Sequence, residues 1–170
     1  MSFRFVGFRA PCGIFVFVLA LLPAVFGCSR KNAHEVTSAQ SADRVVILTP
    51  GWNPVEVSVE LAIRPETQVR GLMGRDHLDP GHGMLFIFPD EQQRVFWMKN
   101  TLIELDIIFI RKNGEVLGCV ERAEPMTEIP RYVDGNSGYV LEVTGGFCRE
   151  HAVGASSRLK FVIKSININQ

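Results

Sequence analysis

The 170-residue chain has no surplus of charge, since 18 Lys and Arg stand against 18 Asp and Glu. Nucleic-acid binding needs clustered cations that neutralise phosphates, so no nucleic-acid partner is expected of this balance. Cysteine is scarce, and its four positions form neither a CxxC pair nor a zinc-type spacing; dithiol and zinc-ribbon chemistry are thereby excluded. A GxSxG elbow, a phosphate-binding loop and an HExxH helix are also missing, which weighs against the enzyme classes built on them.

The first 28 residues carry the clearest signal. Arg4 and Arg9 precede an uncharged apolar run from Gly13 to Phe26, and Val25-Phe26-Gly27-Cys28 follows the form of a lipoprotein processing site. A basic start, a short apolar core and small residues near the cut are what an export signal requires. The run falls short of the roughly 20 apolar residues that span a bilayer. The reading is a signal peptide over residues 1–27 and lipid attachment at Cys28, although Phe26 is bulkier than usual at its position. Ordinary cleavage and an uncleaved anchor are the alternatives, and each puts the remainder outside the cytoplasm. Removal of the leader takes two arginines and no acid, leaving 16 basic and 18 acidic residues, net −2. It also leaves Cys119 and Cys148, which outside the cytoplasm either pair or stay as two buried thiols.

Residues 28–44 read as the lipidated cysteine and a polar tether, too poor in apolar residues to offset the entropy of ordering. Residues 45–170 then form one domain. From Val55 to Ile63 every second residue is apolar, the period of a strand with one buried face. Pro65 and Glu66 open a short helix that ends near Gly74. Apolar runs at Met84–Phe88, Val95–Met98 and Leu105–Ile110 read as strands. Asn113-Gly114 predicts a tight type I′ hairpin. A long irregular loop over 124–138, a strand at Tyr139–Val143, a second short helix near 146–152 and a last strand at Arg158–Ile163 complete the domain. The fold class expected is mostly β, a sandwich or partly closed barrel with two short helices.

Four ordered stretches, Arg70-Gly71-Leu72-Met73, Gly83 to Phe88, Phe96 to Thr101 with Leu105-Asp106 behind it, and Tyr139-Val140-Leu141-Glu142, resemble the bacterial and archaeal family called domain of unknown function 192. The resemblance covers roughly Val57 to Phe161. It implies a compact β-rich domain, often exported, with no established reaction. Two departures stand out: Glu104 occupies a place where members often have proline or a small residue, and Pro125–Pro130 lacks cysteines that many members carry there.

Asp106 draws attention because its strand neighbours are apolar on both faces, so its carboxylate needs a partner. Arg70 and Lys99 are the candidate cations, Asn100 and Thr101 the candidate donors, and the expectation is a buried cluster joining Arg70 to Asp106, either as an ion pair fixing the helix or as a polar pocket floor. Glu104 and Asp106, two apart on one strand, match the acid pair of an inverting glycosidase only weakly. Phe96 and Trp97 face opposite ways, one toward the core and one able to stack on a sugar or aromatic ligand. Asp76, His77, Asp79 and His82 read as a solvated loop, so no metal or other cofactor is expected. Cys148 and His151, three apart, have no evident third group for a nucleophile pair. The ligand-binding candidates are Arg70, Trp97, Lys99, Asn100, Thr101, Asp106 and Glu142. The leading function is an extracytoplasmic, membrane-tethered binding or accessory domain of the cell envelope, with a protein or glycan as partner. Its rival is an envelope hydrolase or carbohydrate-active enzyme using Asp106 and polar neighbours.

Overall fold

The computed structural model describes residues 43–165. The expected leader, lipid attachment at Cys28 and tether up to residue 42 lie outside the described residues. Asp43 belongs to the folded part, where its carboxylate accepts the Lys164 and Ser165 N–H groups at 2.6 and 3.0 Å.

Seven strands and two short helices follow in the order β1 (Arg44–Leu48), β2 (Val55–Ala62), α1 (Pro65–Arg70), β3 (His82–Gln92), β4 (Leu105–Ile110), β5 (Val116–Ala123), β6 (Ser137–Thr144), α2 (Phe147–Glu150) and β7 (Arg158–Val162). They form one sheet in the order β5-β4-β6-β3-β2-β1-β7, antiparallel except where β2 and β3 run parallel around α1. The sheet curls until its edges meet: Glu115 bridges Arg158, and the Leu159 N–H donates to the Gly114 carbonyl at 2.7 Å. The molecule is therefore a half-barrel, mostly β with two short helices.

Alternation along each strand divides the core. Valines, leucines and isoleucines from all seven strands, among them Val57, Leu85, Ile108, Leu141 and Leu159, fill the inside of the curl. On the outer face Met84, Phe86, Ile107, Phe109 and Val140 gather under Leu72 and Met98. β4 is buried along its whole length, which is why its sequence is a continuous apolar run rather than an alternation.

Two local features differ from expectation, and a third decides between two alternatives the sequence leaves open. Val95–Met98 makes no strand; Phe96 alone bridges Arg131, and its ring turns inward to meet Phe86 and Phe109 edge-on at 4.9 and 5.9 Å. The chain reverses at Asn113-Gly114 as expected, but only Gly114 takes positive φ, so the reversal is a longer loop closed by one left-handed residue, not type I′. A side chain at position 114 would also strike the Leu159 carbonyl at 2.5 Å. Finally, Cys119 and Cys148 form a disulfide that ties β5 to α2. Cys148 is thereby removed as a partner of His151, whose ring instead packs on Phe147 at 4.5 Å.

Candidate functional site

Two acids, Asp106 and Glu142, are buried on adjacent strands. Asp106 lies opposite Val143 and Glu142 lies opposite Ile107, so the two carboxyl groups leave the sheet from opposite faces.

Asp106 points inside the curl and is 0% exposed. Its Oδ1 accepts the N–H groups of Arg122 and Gly146 at 2.7 and 2.9 Å, and its Oδ2 accepts that of Cys148 at 2.7 Å. The Arg122 N–H is turned toward it by a bulge, where one extra residue of β5 faces β4 and Arg122 takes a φ of 49°. The expected pairing of Arg70 with Asp106 is therefore wrong. Backbone amides satisfy this carboxylate, and Arg70 sits beside a cleft on the other side of the sheet. Asp106 is a structural pin that joins β5 to α2 beside the disulfide, and it is closed to any ligand. Glu104 is engaged by Arg122 at 3.0 Å, which leaves no carboxylate pair there.

Glu142 points to the outer face and forms the floor of a cleft of about 450 Å³ between the end of α1 and the segment 94–97. That size lies in the range of small-molecule sites, roughly 300–1,000 Å³. Across the strands Glu142 is flanked by Met84 and Ile107. It is 5% exposed, and its Oε2 is enclosed with no hydrogen-bond partner. Burial in these apolar surroundings pushes its carboxyl up to about 8, so the group is mostly neutral at pH 7.

The cleft walls follow from the local sequence. Pro65 starts α1, and the Gln68 amide ties the helix to both flanking strands through the Ala62 and Ile87 carbonyls at 3.2 and 2.9 Å. Gly71 ends it at a φ of 48° with its N–H on the Thr67 carbonyl at 2.9 Å. A β-carbon there would lie 3.3 Å from the Phe86 ring and 3.7 Å from Glu142 Oε2, so glycine keeps the approach to the acid open. Leu72 then plunges into the core. Opposite, the segment 96–101 is laced to the loop 126–131 by backbone bonds between Phe96 and Arg131, Met98 and Thr127, and Thr101 and Met126.

Of the candidates read from the sequence, Arg70, Trp97, Thr101 and Glu142 meet in this cleft. Arg70 is exposed at its rim, and its guanidinium has no hydrogen bond or ion pair among the described residues. Trp97 is 52% exposed, whereas Thr101 is buried. Lys99 instead pairs with Glu128 at 3.1 Å beside the Trp97 ring, and Asn100 makes a left-handed turn whose carbonyl accepts the Gly74 N–H at 2.8 Å. Both brace the wall rather than line it. Sequence reasoning misses Arg94. It lines the cleft with its guanidinium 4.0 Å over Phe88 and ion-paired to Asp90. The i, i+4 spacing of Asp90 and Arg94 is the one signal in the chain, but it gives no hint of the cleft.

The family model of domain of unknown function 192, described as "Uncharacterized ACR", matches residues 46–161. The chain belongs to this family. Among solved structures, a "putative transcription regulator" from Sinorhizobium meliloti 1021 is 34% identical with a TM-score of 0.68, covering 70% of this chain and 92% of that one. A protein of unknown function from Novosphingobium aromaticivorans DSM 12444 is 31% identical with a TM-score of 0.66, covering 69% and 83%. No curated protein matches the chain. The half-barrel is thus shared with these relatives.

Proposed function

We propose that this DUF192 chain is a lipid-tethered domain of the cell envelope that binds a small ligand in the cleft over Glu142. The observation that carries the binding reading is the buried acid itself. A carboxyl group enclosed without a partner is unfavourable in an apolar site, and a ligand that hydrogen-bonds to it would relieve that penalty. Apolar walls with a few convergent polar groups are what such sites are made of. The Cys119–Cys148 disulfide suits an oxidising compartment and so favours the exported reading.

The rival hydrolase reading loses its central residue, because Asp106 is sealed inside the curl and engaged by three amides. A role in transcription, as the Sinorhizobium protein's description suggests, gains no support from a chain whose charges balance. Two experiments test the proposal. Metabolic labelling with a radioactive fatty acid should mark the wild-type protein and not Cys28→Ala; equal label in both rejects the anchor. The protein recovered from its native envelope should carry a small molecule that Trp97→Ala fails to retain, and recovery of the same molecule by both rejects the cleft.

A further inference from the structure

Resting on the reading of the cleft as a binding site, we infer that its ligand is a small organic anion with an apolar body, its acidic group meeting Arg70 and the Glu142 carboxyl while the body lies along Trp97 and Phe96. Hydrogen-bond donors decide the class. A neutral carboxyl offers an O–H, and a guanidinium offers up to five N–H groups, so these two groups of the cleft can each donate to whatever enters. A carboxylate or similar oxyanion accepts from both, and charge-assisted bonds of this kind are the strong ones.

The surrounding charges agree. Arg70 is the rim cation whose guanidinium has no partner among the described residues, while Arg94 is already ion-paired to Asp90 and lies over Phe88. On β2, Glu60 shares the outer face but is held by Arg75 through two bonds of 2.5 and 2.6 Å, and that pairing keeps its carboxyl below the ordinary range. The strands paired with β6 present Met84, Phe86 and Ile107 to Glu142 and no titratable group. Among the described residues, no free carboxylate therefore faces the cleft at neutral pH to attract a cation or repel an anion. Gly71 contributes by absence, since its missing side chain is what leaves Glu142 reachable from the rim that carries Arg70.

The experiment uses the full chain with Trp52→Phe, which leaves Trp97 as the single tryptophan and its fluorescence as the reporter. The probes are 3-phenylpropanoate and, as the matched cation, 3-phenylpropylammonium. The anion should shift the Trp97 signal saturably at pH 7, with affinity falling about tenfold by pH 9 as Glu142 ionises. Glu142→Gln, which keeps an uncharged donor, should bind without that loss. Arg70→Ala, at an exposed position that does not threaten folding, should weaken binding about tenfold or more. If the cation binds instead, tightening as pH rises and failing in Glu142→Gln, the anion class is overturned while the cleft remains a binding site. If neither probe moves the signal the inference is overturned, and if native envelope extract fails to move it as well, the binding reading falls with it.

Discussion

The two faces of this sheet hold one buried acid each and treat it in opposite ways. Inside the curl, Asp106 receives three backbone N–H bonds and fastens a bulge, a helix and a disulfide into one corner. On the outer face, one residue along a paired strand, Glu142 is enclosed by Met84, Phe86 and Ile107 with no bond to its inner oxygen. The first acid completes the fold. The second opposes it, because an enclosed carboxyl must stay neutral and destabilises the folded state whenever the solution would ionise it. An unfavourable group kept at the floor of an open cleft is the mark of a site rather than of a scaffold.

Replacement of Asp106 should break this contrast most severely. Asp106→Ala leaves three backbone donors unpaired, one buried and two part-buried, and the loss should be about 5 kcal/mol, read by chemical denaturation. A change below about 1 kcal/mol would mean that the corner holds without it. Next in size, replacing Cys119 and Cys148 together by serine opens a link between residues 29 apart. The expected destabilisation is about 3–4 kcal/mol, measurable as a shift in the denaturation midpoint.

Glu142→Gln should act in the other direction. Below about pH 4 the acid is neutral in both folded and unfolded chains, and the substitution should change little. As pH rises from its ordinary value of 4.5 toward about 8, the unfolded chain ionises while the folded one does not, so wild-type stability falls across that window. The variant should therefore be more stable at pH 7 by roughly 3 kcal/mol, and the gap should stop growing above pH 8. Thermal melts of both proteins from pH 4 to pH 9 would show it, and parallel curves would refute it. Smallest of all, Arg70→Ala should change stability by no more than about 0.5 kcal/mol, since the side chain is exposed and unpaired. A larger loss would mean that Arg70 serves the fold and not the cleft.

Much of the half-barrel is legible in the chain. The alternation at Val55–Ile63, the reversal at Asn113-Gly114 and the Pro65-Glu66 helix start are local signals, and local physics fixes them. The cleft is only half legible, for an identifiable reason. Arg70, Trp97, Thr101 and Glu142 can each be singled out, but which buried acid shares a face with Arg70 depends on register between strands far apart in sequence. Sequence reasoning puts Asp106 on the wrong face because its partners are backbone amides of Arg122, Gly146 and Cys148. Amides are common to nearly all residues and leave no trace in side-chain identity. Val95–Met98 misleads for the opposite reason, since its residues are apolar enough for a strand while the Phe96 ring alone meets the aromatic core.

Titrating Glu142 itself is the most direct test of whether this acid is enclosed and held neutral for the cleft's use. Carbon-13 labelled glutamate, with the Glu142 signal assigned by its loss in Glu142→Gln, gives the ionisation midpoint of its carboxyl by NMR. The expected midpoint is near 8, far above the ordinary glutamate value of 4.5. A midpoint near 4.5 would show a solvated, ordinary carboxylate, and the claim that this face of the sheet holds an unsatisfied acid for a ligand would be wrong.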